Sequence, residues 1–141
     1  MSDELDLFIT QLTTVLGGMT GVKQTPEHPP EALNEFPIVI CYVVKGRFSY
    51  GAGAPCVGVH TLHADVHLGR SVLPSDEEYA RPYILRALAA IAGHVHMHGT
   101  CEHCLLSEYQ YGRLGYGTTE TFGVRLVLEV KIIHAGINVA A

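Results

Sequence analysis

Apolar and polar residues alternate along residues 57–70, VGVHTLHADVHLGR. The apolar members share one side of an extended chain: Leu62, Ala64, Val66 and Leu68. The polar members share the other side: Thr61, His63, Asp65 and His67. This period of two predicts a strand with one face toward a core and the other toward water. The apolar run at 37–44, PIVICYVV, predicts another strand before it, with Pro37 suited to a strand start.

Two further strands are predicted near the end of the chain, at 104–114 and 118–133. In the second, apolar residues again share one side: Val124, Leu126, Leu128, Val130 and Ile132. Glycines in the connecting GRLGYG favour a tight turn or a bulge. Three tyrosines, Tyr109, Tyr111 and Tyr116, fit either a protein interface or half-buried strand positions, and we expect the latter.

Two segments show helical spacing instead. Residues 2–18 carry an apolar stripe that Gly17 and Gly18 end, and Ser2 is suited to cap the helix. Residues 73–93 carry another stripe, with Ser75 and Glu78 in capping-box positions and Pro82 inside the pattern. The stripe of the first helix consists of Leu5, Phe8, Ile9, Leu12, Val15 and Leu16; that of the second consists of Tyr79, Tyr83, Ile84, Ala87, Leu88 and Ile91.

These elements predict an α+β fold with a single antiparallel or mixed β-sheet and helices packed on one face. A chain of 141 residues fits one domain, 1–141. Within it we expect an N-terminal helix at 1–18, a proline-containing connection at 19–36, an α+β core at 37–133 and a weakly ordered tail at 134–141. Residues 46–56, a glycine-rich arm, resemble either one side of a hairpin or a long loop.

Composition narrows the function classes. The chain is 48% hydrophobic and 16% charged, with a net charge of −5 and no basic run, so a phosphate-binding surface is not expected. Its apolar runs are too short to span a bilayer, and its acidic start lacks a secretory signal, so we expect a soluble protein made in the cytoplasm. In that compartment we expect its four cysteines to be thiols. Because no phosphate loop, dinucleotide fingerprint or nucleophile elbow occurs, we expect no enzyme.

One stretch invites a metal hypothesis, GHVHMHGTCEHC at 93–104. In an extended segment the imidazoles of His94, His96 and His98 would share one side, and two cysteines spaced by two residues can reach one zinc ion. The candidate zinc ligands are His96, His98, Cys101 and Cys104. A single such cysteine pair is a weak signal, however, and a polar connecting loop is the better explanation of the stretch, so we favour no metal or cofactor. A weaker candidate is the row His63, Asp65 and His67.

The order of elements also resembles a known family. An alternating strand, GVHTLHADVHLGRSVLP, is followed by the capped helix SDEEYARPYILRALAAI, a variable connection and YQYGRLGYGTTETFGVRLVLEVKI. Together with the first helix and the strand FPIVICYV, this pattern is similar to the neck and tail proteins of long-tailed bacteriophages, most specifically the tail-terminator or tail-completion proteins. The resemblance covers most of residues 1–133, and the histidine and cysteine stretch falls in the variable connection.

The resemblance implies a structural virion protein. Six copies would form a ring that caps the tail tube, ends its polymerisation and offers a surface to the head-side connector or stopper protein, while DNA passes through the lumen without specific binding. A partner-contacting surface is expected on the glycine-rich arm at Arg47, Phe48 and Tyr50, ordering when it docks. The alternatives are another neck or tail-tube ring protein, or a small metal-binding module that uses residues 94–104.

Overall fold

The computed structural model describes residues 4–30, 33, 35–69, 76–117 and 119–138. Its helices are α1 (Glu4–Gly17) and α2 (Asp76–Ala92), and its strands are β1 (Ile38–Ser49), β2 (Pro55–Gly69), β3 (His103–Tyr116) and β4 (Thr119–Asn138). A short 3₁₀ turn, Met97–Gly99, lies between α2 and β3. The strands form one sheet in the order β1-β2-β4-β3, and each neighbouring pair is antiparallel.

Both helices pack against one side of this sheet, which we call the helix face; the opposite side is the open face. Apolar residues from the even positions of β2 and β4 meet the stripes of α1 and α2 in one core, as the alternation predicts. Phe8 and Leu12 of α1, and Ala87 and Ile91 of α2, are buried there. The predicted α+β fold with one sheet and helices on one face is therefore confirmed. Two members of the predicted second stripe, Tyr79 and Leu88, are instead exposed.

β1 and β2 form a long hairpin that includes the glycine-rich arm. Residues 46–49 pair with 57–60 of β2, so the hairpin alternative is correct and the long-loop alternative is wrong. A register shift between Val43 and Lys45 bends β1 where its buried half ends. The turn is closed by Ala54 N–H donating to the Gly51 carbonyl at 2.9 Å, and Gly53 has a φ of 75°, which suits glycine.

The end of the chain differs from expectation. β4 continues to Asn138, with His134 opposite Cys56 and Asn138 opposite Pro55, so the core extends beyond residue 133. The expectation of a weakly ordered tail is therefore wrong for 134–138, which belong to β4, because β2 is long enough to pair with His134 and Asn138. Residues 139–141 and both predicted helix caps, Ser2 and Ser75, lie outside the described residues.

The polar side of β2 is not simply exposed to water, contrary to what its alternation predicts. Asp65 is only 3% exposed: Arg125 of β4 donates to both its carboxylate oxygens, at 2.9 and 3.1 Å, and the Tyr42 hydroxyl of β1 donates to it at 2.8 Å. One carboxylate thus joins three strands. Burial, followed by this hydrogen bond to Asp65, raises the pKa of Tyr42 to about 12.

We predict that Asp65→Ala lowers the free energy of unfolding by about 3 kcal/mol, because it leaves the guanidinium of Arg125 without its partner in a largely buried place. Urea denaturation followed by circular dichroism measures this change. Arg113→Ala is the matched control: its ion pair with Glu120, at 3.2 Å, is more than half exposed and should contribute less than about 1 kcal/mol. Equal losses in the two variants would contradict a special role for Asp65.

Candidate interaction surface

The hairpin places the predicted contact residues of the glycine-rich arm on the surface. Phe48 is 50% exposed and Tyr50 is 70% exposed, while Arg47 is exposed on the open face opposite Val59. Val43 and Val44, just before the arm, are also exposed. Since large apolar side chains grouped on a surface favour association, this part of β1 is a candidate contact surface. The arm residues in the strands are already ordered by the ladder with β2.

The arm is anchored to the rest of the molecule through two buried histidines. His60 of β2 and His134 of β4 point their rings at each other, with Nε2 atoms 3.1 Å apart, so one imidazole donates its N–H to the other. The Phe48 ring packs edge-on against both imidazoles. The Nδ1 atom of His134 lies 3.6 Å from the carboxylate of Glu4, in the first turn of α1. Hairpin, sheet and helix therefore meet at this pair.

Gly58 leaves the space that this histidine pair needs. A Cβ atom at position 58 would lie 2.5 Å from the Nε2 of His60 and 2.8 Å from that of His134. Both distances are shorter than real side chains allow, so a larger residue would push the two rings apart. The sequence alternation did not reveal this pair, because His134 falls in the segment expected to be a tail.

The opposite edge of the sheet, strand β3, carries a second group of exposed apolar residues. Leu105, Tyr109 and Tyr111 are 50%, 54% and 41% exposed. The expectation of core or half-buried strand positions is therefore wrong for Tyr109 and Tyr111. Tyr116 is half-buried: its hydroxyl donates to the Pro30 carbonyl and its ring meets that of His67. Tyr111 packs edge-on against Phe122.

A cleft of 390 Å³ lies beside the arm on the open face. Its charged lining comes from Lys45 and Arg47 of β1 and from Glu129 of β4, with Val59 and Thr61 between them. Its lining of mixed charge suits polar contacts at the border of a protein interface. The arm thus combines exposed aromatic groups with charged neighbours.

The histidine and cysteine stretch is not extended, contrary to the geometry that would align its three imidazoles. Residues 93–100 form consecutive turns that include the short 3₁₀ turn. His96 donates its Nδ1–H to the Glu102 carbonyl at 2.7 Å, and His98 is exposed on a left-handed turn. Within the described ranges, no three or more histidine, cysteine or acidic residues are gathered so that they could hold a metal ion. The set His96, His98, Cys101 and Cys104 is therefore not brought together.

The two cysteines of this stretch are in surroundings that favour the thiol. Cys104 is buried in the core, where burial, followed by the neighbouring Cys101, raises its pKa to about 12. Burial also raises the pKa of Cys101 to about 11, and its thiol donates to the Val95 carbonyl at 3.5 Å. Because the thiolate is the nucleophile, thiols that stay protonated near neutral pH are poorly reactive. All four cysteines of the chain are free thiols.

The row His63, Asp65 and His67 is a hydrogen-bonded network. The Tyr42 hydroxyl, which donates to Asp65, accepts from Nδ1 of His63 at 3.2 Å. Thr121 donates to the Leu114 carbonyl and accepts from Nδ1 of His67 at 2.5 Å. His67 is almost fully buried. The side chains of the row thus bond to neighbouring strands and do not share one open ligand position.

Burial lowers the pKa values of His60, His63 and His67. An unfolded histidine binds a proton near pH 6.5, whereas these residues remain neutral to a lower pH in the folded protein. Their contribution to stability is therefore complete above about pH 6.5 and is lost as the pH falls through their folded pKa values.

We predict that the free energy of unfolding decreases as the pH is lowered from 7.5 to 5. The free energy of unfolding of the His67→Gln variant should decrease less over the same interval. Each such histidine can contribute up to about 1.4 kcal/mol for each unit by which its pKa in the folded protein lies below its pKa in the unfolded chain. Urea titrations at several pH values measure both slopes. Equal slopes in the variant and the parent would show that His67 does not contribute to the pH dependence.

Comparison with known proteins adds no family assignment. No protein-family model matches this sequence, and none of the curated proteins matches it. Among the described residues, no helix is both long and apolar enough to cross a membrane. The functional interpretation therefore depends on the two exposed edges, on the sheet between them and on the pattern of elements along the chain.

Proposed function

We propose that this chain is the tail terminator of a long-tailed bacteriophage, a structural virion protein that forms a homohexameric ring on the end of the tail tube. The ring ends tube polymerisation and provides the surface that joins the tail to the head-side connector. The pattern of strands and helices along the sequence supports this proposal. So does a fold with one sheet and helices on one face, although one scaffold of this kind serves several ring positions in phage necks and tails.

The observation that carries the proposal is the pair of apolar edges. β1 and β3 are the two outer strands of the sheet, and each has exposed apolar side chains near unpaired backbone groups. The two edges differ in sequence and shape. If the arm of one copy contacts β3 of the next, the contact is head-to-tail, and head-to-tail contacts close into rings when the rotation between copies allows it.

The start of β1 is less available for such a contact. An isolated parallel bridge joins Gln24 to Ile38, and the Val39 N–H donates to the Gln24 carbonyl at 3.0 Å. The connection before β1 therefore lies along this part of the edge. The exposed half of β1 begins at Val43 and leads into the glycine-rich arm, so the proposed contact uses this half.

We predict that the purified chain forms rings, alone or on tail tubes, and that Tyr50→Glu or Leu105→Glu prevents ring formation. Each substitution puts a charge at an exposed apolar position on a different edge, which disfavours burial in an interface. Light scattering after size-exclusion chromatography and negative-stain electron microscopy measure the outcome. Leu85→Glu, on the 68% exposed outer surface of α2, is the matched control and should assemble like the parent.

A mixture of the two variants tests the head-to-tail geometry directly. Tyr50→Glu retains an intact β3 edge and Leu105→Glu retains an intact arm, so one good interface can form between them and a heterodimer is expected. Failure to form any heterodimer would contradict a contact between arm and β3. A parent chain that stays monomeric at high concentration and does not bind tail tubes would contradict the proposed ring.

The biological test is deletion of the gene from a phage that carries it. Without a terminator, tube subunits continue to add, so tails of irregular length that do not join heads are expected. Tails of uniform, normal length attached to heads would overturn the assignment. The same test separates a terminator from a tube subunit, whose loss would leave no tube.

A further inference from the structure

Two exposed imidazoles lie side by side where α2 ends. The ring centres of His94 and His98 are 5.6 Å apart, and the ring planes are tilted by 50°. A metal ion bound to an imidazole nitrogen at about 2.0–2.1 Å lies about 3 Å from the ring centre. Two rings that share one ion therefore have centres about 4–6 Å apart, and the observed separation falls within this interval.

The tautomer of His94 suits metal binding. Its Nδ1 atom is 3.0 Å from the Ala90 carbonyl oxygen. Since a carbonyl oxygen only accepts hydrogen bonds, Nδ1 carries the proton, and in the neutral ring the lone pair is on Nε2. Histidines that bind metals commonly have this arrangement, because the hydrogen bond to a second group orients the ring and fixes the tautomer.

An unusual backbone turn brings His98 to the same place. Met97 and His98 have φ values of 44° and 57°, a conformation that residues with side chains rarely adopt. The turn is held by buried Met97, by the Met97 N–H donating to the His94 carbonyl at 2.9 Å, and by the Thr100 hydroxyl donating to the Met97 carbonyl at 2.7 Å. His98 is therefore held beside His94 by the backbone before any ligand binds.

We propose that His94 and His98 bind one divalent first-row transition-metal ion, with Cu²⁺ bound more tightly than Zn²⁺. Imidazole nitrogen suits both ions, and sites of given ligands follow this order of affinity. Two protein ligands leave the other coordination positions to water. This site differs from the set that the spacing of histidines and cysteines indicates, since the described residues gather no three such side chains around one point and the cysteine thiols are held in or near the core. It does not depend on ring formation.

The test is calorimetric titration of the untagged full chain with Cu²⁺ and, separately, Zn²⁺, in a buffer that does not chelate metals. We expect one ion per chain. His94→Gln and His98→Gln should each weaken metal binding at least tenfold. Removing a residue that only hydrogen-bonds to a metal ligand lowers metal affinity about 10–100-fold, and removing the ligand itself should lower it at least as much. Pulsed electron paramagnetic resonance of the Cu²⁺ form should show two imidazole nitrogens in the parent and one in either variant.

Two matched variants separate the alternatives. Cys101→Ser and His28→Gln, the latter an exposed histidine outside residues 93–104, should bind like the parent. Loss of binding in Cys101→Ser with retention in His94→Gln would overturn the proposal in favour of the histidine and cysteine set. Absence of Cu²⁺ binding, or equal binding by the parent and the double variant lacking both imidazoles, would also overturn it. None of these outcomes bears on the tail-terminator assignment, which light scattering and the gene deletion test separately.

Discussion

The antiparallel pairing of β2 with β4 is the constraint on which the rest of the structure depends. These two strands form the centre of the sheet and pair along almost all of β2, from Pro55 to Gly69. A slip of one residue would turn every side chain of one strand to the other face, and Asp65 would then lie under the helices among apolar groups. The ion pair of Asp65 with Arg125 exists only in the observed register. Core packing on one face and this pair on the other therefore favour the same alignment.

The central pairing also determines which surfaces remain for partners. Because β2 and β4 use both their edges within the sheet, β1 and β3 become the outer strands, and each carries exposed apolar side chains. The buried pair of His60 and His134 then connects the arm to α1 through Phe48 and Glu4. A contact made by the arm is thus made by a braced hairpin, which reduces the entropy lost on docking.

The burial of individual residues shows where the local sequence pattern is sufficient to predict the structure. Leu62, Ala64 and Val66 are fully buried as their alternation predicts, because the two faces of a strand differ at every second residue whatever the rest of the chain does. Asp65 and His67 have the same alternation but are buried too, because Arg125 and Thr121 approach from β4. Arg47, Phe48 and Tyr50 are exposed, and their contact with a partner stays a prediction. His96, His98, Cys101 and Cys104 are separated because the stretch turns instead of extending.

The sequence by itself determined the type and order of the helices and core strands, and the apolar side of the two central strands, because these depend on periods of about two or 3.6 residues within a short window. Only the tertiary structure decided which strands are the outer ones and that β4 continues to Asn138. It also decided that His60 of β2 contacts His134 of β4, and that His94 lies beside His98. Each of these features depends on residues distant in the sequence or on the direction of one turn. The local spacing of residue types therefore does not predict them.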